Sequence, residues 1–299
     1  MGNVVLGPPS TCVEFRKSTV RAVAAGAAYS ALVGLGARAT VPTPLRRTAY
    51  RAFARAVGAN LDEAELDLAE YESLGDFFAR RLRPGVRTID PSPNVMIMPC
   101  DGVIAARGTA IDGALIQAKG KTYQLDELLA NSALAGRLRG GEYATIYLSP
   151  RDYHRVHSPA SAKLVAYEYL PGSLWPVNPR IADRRERLLS RNERVVIELD
   201  AGRLGKLCVV MVGASGVGNI RLAHASNDSV TWRTSGERRR IELDVPIKRG
   251  DELGAFRLGS TVVVVFEPGA VSSMADLAVG DAVRFGERLA VGRSGAVLA

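Results

Sequence analysis

The stretch Leu258-Gly259-Ser260-Thr261-Val262-Val263-Val264-Val265-Phe266 decides the fold of this 299-residue chain. Its last five residues form an uninterrupted apolar run, rich in β-branched side chains, which is typical of a strand buried on both faces. Gly259 has no Cβ, so the backbone ahead of the strand tolerates strain and close approach. The sequence therefore predicts a buried strand that begins at a Gly-Ser step.

The Gly-Ser step could also be chemically reactive. A serine hydroxyl can attack the carbonyl that precedes it if a base removes its proton, and this would cut the chain between Gly259 and Ser260. The same residues are typical of a simple turn. On the step alone, the turn is the favoured interpretation.

Short β-rich runs separated by glycine turns follow one another from residue 95 onward. They predict an α+β fold with a mostly antiparallel β core of sandwich or barrel type. The N-terminal helices ahead of this core are expected to face a membrane. A weak internal repeat, 249–256 against 279–286, predicts two similar strand-turn units. Helices are expected within the core at 126–134 and 150–156, and the predicted strands are 95–98, 143–148, 163–170, 194–199, 207–212, 218–222, 239–245 and 262–266.

The N-terminal third has a helical pattern from about residue 18 to 83. Pro44 fits the first turn of one helix, Asn60 is a candidate N-cap for a helix over 61–68, and Ser73 is a candidate N-cap for a helix that ends near Leu82. We predict two parts: a tail and helical membrane-association region over 1–90, and a β-rich catalytic domain over 91–299.

The segment 22–37 carries no charge and is rich in alanine and glycine. It is short for a bilayer span, which needs about 20 residues. A weak membrane helix, a signal-like segment and an interfacial or buried helix all remain possible; the last is favoured because alanine contributes little to insertion.

The chain carries a net charge of +8, which favours anionic partners such as acidic lipids. Aromatic residues make up only 6% of the chain, and no nucleic-acid-binding motif is recognisable, so no nucleic-acid partner is predicted. The three cysteines are scattered, which favours neither a disulfide framework nor a zinc site.

Two of the three histidines, His154 and His157, lie three residues apart beside Tyr153. On a helix this spacing would place both on one face. No metal site is predicted, because further ligands at a suitable spacing are missing. Asp101 lies in an Asp-Gly turn; a carboxylate near a histidine can orient the imidazole, as in a Ser-His-Asp relay. Ser260, His157 and Asp101 are of the right types for this relay, but spacing alone does not bring them together.

Several blocks, in order, resemble the phosphatidylserine decarboxylase family. The blocks are Tyr-Glu-Ser-Leu-Gly-Asp-Phe-Phe-Ala-Arg-Arg-Leu at 71–82, Pro-Cys-Asp-Gly-Val-Ile at 99–104, Ile-Gln-Ala-Lys-Gly-Lys-Thr-Tyr at 116–123, Ser-Pro-Arg-Asp-Tyr-His-Arg-Val-His-Ser-Pro at 149–159, Pro-Gly-Ser-Leu-Trp-Pro-Val-Asn at 171–178, Val-Gly-Ala-Ser-Gly-Val-Gly at 212–218 and Leu-Gly-Ser-Thr at 258–261.

The resemblance implies a proenzyme in which His157, oriented by Asp101, activates Ser260. The hydroxyl attacks the Gly259 carbonyl and the peptide bond becomes an ester. β-Elimination then releases the segment that ends at Gly259, and hydrolysis with loss of ammonia leaves a pyruvoyl group derived from Ser260 as the cofactor. That group would act as an electron sink for the decarboxylation of phosphatidylserine to phosphatidylethanolamine. His154 is the candidate proton donor, with His157 as the alternative. Lys119, Lys121 and Asn178 are candidate substrate-binding residues.

The expected partners are the phospholipid substrate, an anionic membrane surface, and the two cleavage chains held as a heterodimer that can itself dimerise. The expected location is peripheral, on the cytoplasmic face of the cell membrane. Three alternatives remain open: a pyruvoyl decarboxylase of a free amino acid, a non-catalytic sandwich-barrel paralogue, and a hydrolase that uses Ser260 directly.

Overall fold

The computed structural model describes residues 39–118, 121–182, 184–214, 220–225, 236–257 and 260–293. The segment 22–37, Lys119 and Gly259 lie outside these residues. Within them the helices are α1 (Thr43–Val57), α2 (Leu74–Phe78), α3 (Leu125–Leu129), α4 (Ser132–Leu138), α5 (Pro179–Ala182) and α6 (Leu188–Arg191). No helix in this part of the chain has the length and apolar character to cross a membrane.

Strands dominate from residue 95 onward. They are β1 (Val95–Ile97), β2 (Gly102–Thr109), β3 (Ala114–Ala118), β4 (Lys121–Gln124), β5 (Glu142–Leu148), β6 (Arg155–His157), β7 (Ala162–Leu170), β8 (Arg194–Asp200), β9 (Lys206–Val212), β10 (Ile220–Leu222), β11 (Arg239–Ile247), β12 (Glu252–Phe256), β13 (Ser260–Phe266), β14 (Val271–Met274), β15 (Ala282–Val283) and β16 (Arg288–Gly292).

The largest sheet has eight antiparallel strands in the order β11-β7-β8-β9-β13-β5-β2-β15. Two three-stranded sheets, β1-β16-β14 and β10-β12-β6, and the hairpin β3-β4 complete the β structure. The predicted α+β fold with a mostly antiparallel core is confirmed. The division into two domains at residue 90 stays a prediction.

Strand β13 lies near the middle of the eight-stranded sheet, between β5 and β9. Val262 and Val264 pack into one hydrophobic cluster, and Val263 and Val265 pack into a second cluster on the opposite face. Successive strand residues point to opposite faces, so both sets need apolar side chains. This double burial explains the uninterrupted apolar run.

The predicted internal repeat is confirmed at its turns. In both units an aspartate side chain, Asp251 or Asp281, accepts a 2.7 Å hydrogen bond from the backbone N–H three residues earlier. The glycine just before each aspartate, Gly250 or Gly280, has a positive φ, of 91° and 102° respectively, which glycine adopts without steric cost.

Helix α1 confirms the helix predicted at Pro44, and the Ser73 hydroxyl caps α2 by accepting from the N–H of Asp76. However, α2 ends at Phe78, short of Leu82. The helix predicted over 61–68 is wrong: the N–H of Glu65 bonds to the carbonyl of Arg81, so this segment pairs with a distant one.

The helix predicted over 150–156 is also wrong. A turn leads into β6, which pairs with β12.

Candidate active site

Ser260 is the first residue of β13 and pairs with Leu148 of β5. It is fully buried. Because side chains alternate along a strand, Ser260 shares a face with Val262 and Val264, at the end of that apolar row. The sheet therefore places one hydroxyl at the edge of a dry interior.

His154 lies beside Ser260. The Ser260 Oγ and His154 Nδ1 atoms are 3.5 Å apart, at the long end of hydrogen-bond distance. The other ring nitrogen, Nε2, is 3.0 Å from the carbonyl oxygen of Ser149. A carbonyl only accepts, so Nε2 must carry the hydrogen, and Nδ1 keeps a lone pair directed toward Ser260. This tautomer is the one that can take a proton from the serine hydroxyl.

The surroundings of His154 keep the imidazole neutral. The residue is fully buried, and the ring of Phe78 lies against it with centroids 4.0 Å apart. Burial, with the positive charge of Arg80 adding to it, lowers the pKa of His154 to about 3. A neutral imidazole next to a buried hydroxyl can act as a base at ordinary pH.

His157 belongs to a different set of contacts. Its Nδ1 is 2.8 Å from the carbonyl oxygen of Gly250, so Nδ1–H donates, and Nε2 can then accept from the Tyr153 hydroxyl at 3.0 Å. The ring stacks on Phe285 with centroids 3.8 Å apart. Burial is the main cause that lowers the pKa of His157 to about 4.

Asp101 is held by two groups other than histidine. Its carboxylate accepts hydrogen bonds of 2.5 and 3.1 Å from Arg87 and one of 2.8 Å from the N–H of Phe285. Phe285 links the two residues: its ring stacks on the His157 imidazole while its N–H binds the Asp101 carboxylate.

The three members of the expected relay are thus in two groups. In the part of the chain that the structure describes, no hydrogen bond links His157 to Ser260 or to Asp101. Ser260 is joined instead to His154. The two histidines face different partners because His154 lies just before β6 and His157 lies in it, and residues three apart along an extended chain do not share a face.

The candidate substrate-binding residues lie on other elements. Lys121 begins β4, and the Asn178 side chain accepts a 3.1 Å hydrogen bond from the N–H of Ile181. Within the described residues no hydrogen bond connects either one to Ser260. Their role stays a prediction.

Sequence reasoning missed four side chains that shape the two groups: Phe78 and Arg80 next to His154, Arg87 on Asp101, and Phe285 between Asp101 and His157. The first two lie in the block 71–82, whose match to the family was the available signal. Phe285 lies in the second copy of the internal repeat, where only tertiary structure reveals a contact with His157.

Comparison with known proteins gives a consistent result. A family model described as phosphatidylserine decarboxylase matches residues 74–291. The phosphatidylserine decarboxylase proenzyme of Myxococcus xanthus (strain DK1622) is 41% identical over 266 residues, covering 88% of this chain and 94% of that protein.

Two further relatives carry the same name. The protein of Anaeromyxobacter sp. (strain K) is 44% identical and covers 88% of this chain and 93% of its own length. The protein of Brevibacillus brevis (strain 47 / JCM 6285 / NBRC 100599) is 36% identical, covering 83% of this chain and 89% of its own. This chain belongs to the phosphatidylserine decarboxylase family.

Proposed function

We propose that the chain is a proenzyme that cuts itself between Gly259 and Ser260 and then decarboxylates phosphatidylserine to phosphatidylethanolamine and carbon dioxide. The observation that carries the proposal is the buried Ser260 hydroxyl facing the unprotonated Nδ1 of a neutral His154. Membership of the family, whose curated relatives are named as proenzymes, supports the same conclusion.

Two histidines are candidates for the base that starts self-cleavage. His154 has the geometry, because its lone pair lies 3.5 Å from the Ser260 oxygen. The family resemblance favours His157 with Asp101. If His157 is the base, its imidazole must break its hydrogen bond with the Tyr153 hydroxyl and form one with Ser260. Asp101 must then act on His157 through Phe285, or break its ion pair with Arg87 to reach His157 directly.

The residues around Ser260 fit a pyruvoyl group made from it. The position is fully buried, so bulk water is excluded, and one neutral imidazole is within reach. The pyruvoyl group would accept the electrons left when carbon dioxide departs. His154 is then the side chain placed to move a proton at the reacting carbon.

Cleavage would leave the two chains joined. Strand β13, which would begin the smaller chain, is hydrogen-bonded on both sides, to β5 and to β9. A strand in the middle of a sheet, buried on both faces, cannot leave without breaking the core. The product is therefore a heterodimer of two pieces of one chain, and dimerisation of that unit belongs to the proposal.

A phospholipid substrate requires access to a membrane. Helix α1 carries exposed arginines at positions 47, 51 and 55, and Leu45 in its first turn is 58% exposed. Clustered basic residues favour an anionic bilayer surface. We place the protein peripherally on the cytoplasmic face of the cell membrane, with Lys119, Lys121 and Asn178 as candidate substrate contacts.

The test is a decarboxylation assay on purified protein. Release of carbon dioxide from phosphatidylserine is measured beside release from free serine, for the wild type and for Ser260→Ala. We expect activity on the phospholipid alone, and none for Ser260→Ala. Activity on free serine would instead support the amino-acid decarboxylase. Cleavage without decarboxylation would support the paralogue, and an uncut chain with esterase activity would support the hydrolase.

A further inference from the structure

Arg80 is a buried cation with most of its hydrogen-bonding capacity unused. The residue is 3% exposed, and its Nη2 donates to the carbonyl oxygen of Arg151 at 3.2 Å. Among the described residues, its Nε and Nη1 have no hydrogen-bond partner and no carboxylate forms an ion pair with it. The guanidinium also lies 5.1 Å from the Phe77 ring centroid.

A buried guanidinium with unused N–H groups destabilises the folded chain unless a ligand supplies the missing acceptors. A charge taken out of water needs a counter-charge or a full set of hydrogen bonds. Burial lowers the pKa of Arg80, but a guanidinium remains protonated at neutral pH. The positive charge is therefore present, and its unpaired N–H groups indicate a place for an anion that comes from outside the chain.

Arg80 is close to the reacting atoms. It bonds to the turn at Arg151, and the same turn supplies the Ser149 carbonyl that fixes His154. Phe78, two residues before Arg80, packs on the His154 ring. The charge of Arg80 also lowers the pKa of His154. An anion at Arg80 would thus lie near His154.

A cavity gives an approach to this position. It has a volume of about 550 Å³ and is bordered by Arg80, Arg155 and Arg221. Arg155 is already paired with Glu252, at 2.7 Å to each carboxylate oxygen. The glutamates at the cavity, Glu65, Glu70 and Glu72, are exposed.

We propose that Arg80 binds an oxyanion of the substrate's head group, with its unpartnered N–H groups as the donors, and so holds the substrate beside Ser260. The inference rests on the proposed function and adds a binding residue to it. The phosphoserine head group carries two oxyanions, a carboxylate and a phosphodiester. Both accept from arginine in the same way, so the experiment has to distinguish them.

The test measures binding rather than turnover. Self-cleaved protein is treated with borohydride, which reduces the pyruvoyl ketone, so that no ligand is converted. Calorimetry then gives the Kd of glycerophosphoserine for the wild type, Arg80→Met and the control Arg83→Met. Arg83 is an exposed arginine three residues away. Thermal unfolding and intact mass establish that each variant is folded and cut.

We expect Arg80→Met to weaken binding of glycerophosphoserine about tenfold or more, since a hydrogen bond to a charged group is lost, while Arg83→Met binds like the wild type. Glycerophosphoethanolamine, which has the phosphodiester but no carboxylate, identifies the oxyanion. If Arg80→Met weakens its binding equally, Arg80 holds the phosphodiester; if its binding is unchanged, Arg80 holds the carboxylate.

The assignment is overturned if folded Arg80→Met binds glycerophosphoserine within twofold of the wild type, or if the wild type does not bind it. Should Arg80→Met not fold, Arg80→Gln, which keeps donors and drops the charge, decides by the same criterion. A wild type that decarboxylates phosphatidylserine while Arg80→Met binds normally removes the Arg80 assignment alone. A wild type that neither cuts itself nor decarboxylates removes the function beneath it.

Discussion

Asp101→Asn is the substitution whose consequence the structure predicts most sharply. The carboxylate lies between Arg87 and the N–H of Phe285, and the Asp101 and Arg87 side chains are only 8% and 7% exposed. Removing one member of a buried ion pair costs about 3–5 kcal/mol, because the other charge is left uncompensated. Arg87 keeps a second partner, Glu63, at 2.8 Å. The loss should therefore be near the lower end, about 3 kcal/mol.

The assay is thermal unfolding of the uncut chain, with Ser260→Ala as the common background so that self-cleavage does not change the reference state. A loss of about 3 kcal/mol corresponds to roughly 6–12 °C in Tm for chains of 150–250 residues, and to the lower part of that range for this longer chain. Asp126→Asn is the control, since its pair with Arg139 is half-exposed and worth about 0–1 kcal/mol. If Asp101→Asn is as stable as Asp126→Asn, the reasoning from the buried ion pair is wrong. Asp101 would then have no stabilising role to set against its expected role of orienting His157.

Three further predictions concern the site and the sheet around it. His154→Ala should lower decarboxylation per cleaved chain at least about 100-fold, as expected for a lost acid-base group; an unchanged kcat would contradict the placement of His154. Intact masses of His154→Ala and His157→Ala would show which imidazole starts cleavage. The self-cleavage rate should stay nearly level from pH 8 to pH 5. Burial lowers the pKa of His154 to about 3 and that of His157 to about 4, so either base stays deprotonated over this range. With a base of pKa near 6.5 the cleavage rate would instead fall roughly 30-fold, which gel time courses would reveal. Gly102→Ala should destabilise the uncut chain by about 1–3 kcal/mol, because its Cβ would lie 2.5 Å from the Tyr147 carbonyl oxygen. Gly136→Ala, in a helix with open space around the new Cβ, should stabilise the chain by about 0.5–1 kcal/mol. Equal unfolding midpoints for the two variants would refute the packing argument.

Burial pattern explains which strands the sequence revealed. β13 was predictable because both of its faces are buried, so every position from Val262 to Phe266 is apolar. β2 (Gly102–Thr109) was missed. Its sequence contains two glycines and two alanines, which have low strand propensity, and its place is fixed by pairing with β5 and β15.

Tertiary pairing explains the helices that failed. The segment 61–68 has a helical composition, but the N–H of Glu65 and the carbonyl of Glu63 bond to Arg81 and Arg83 respectively. The same pairing keeps Leu82 extended, so α2 stops at Phe78. Local propensity is a weak prior that long-range hydrogen bonds override.

In the candidate site, too, some residues could be predicted from local sequence patterns and others only from tertiary contacts. Ser260 and the histidines could be named from the sequence, since a Gly-Ser step and a histidine pair are local patterns. The contact of His154 rather than His157 with Ser260 depends on the turn that precedes β6. Nothing in the sequence singles out Arg80, because the lack of partners for its Nε and Nη1 among the described residues depends on tertiary structure.

The central claim is self-cleavage at Gly259-Ser260, and intact mass spectrometry of purified wild type beside Ser260→Ala tests it most directly. The account predicts that the wild type gives two chains divided between these residues, with the smaller one lacking a free amino terminus, while Ser260→Ala stays whole. A single uncut chain in both samples would contradict it, because the pyruvoyl group, and with it the proposed decarboxylation, could not form.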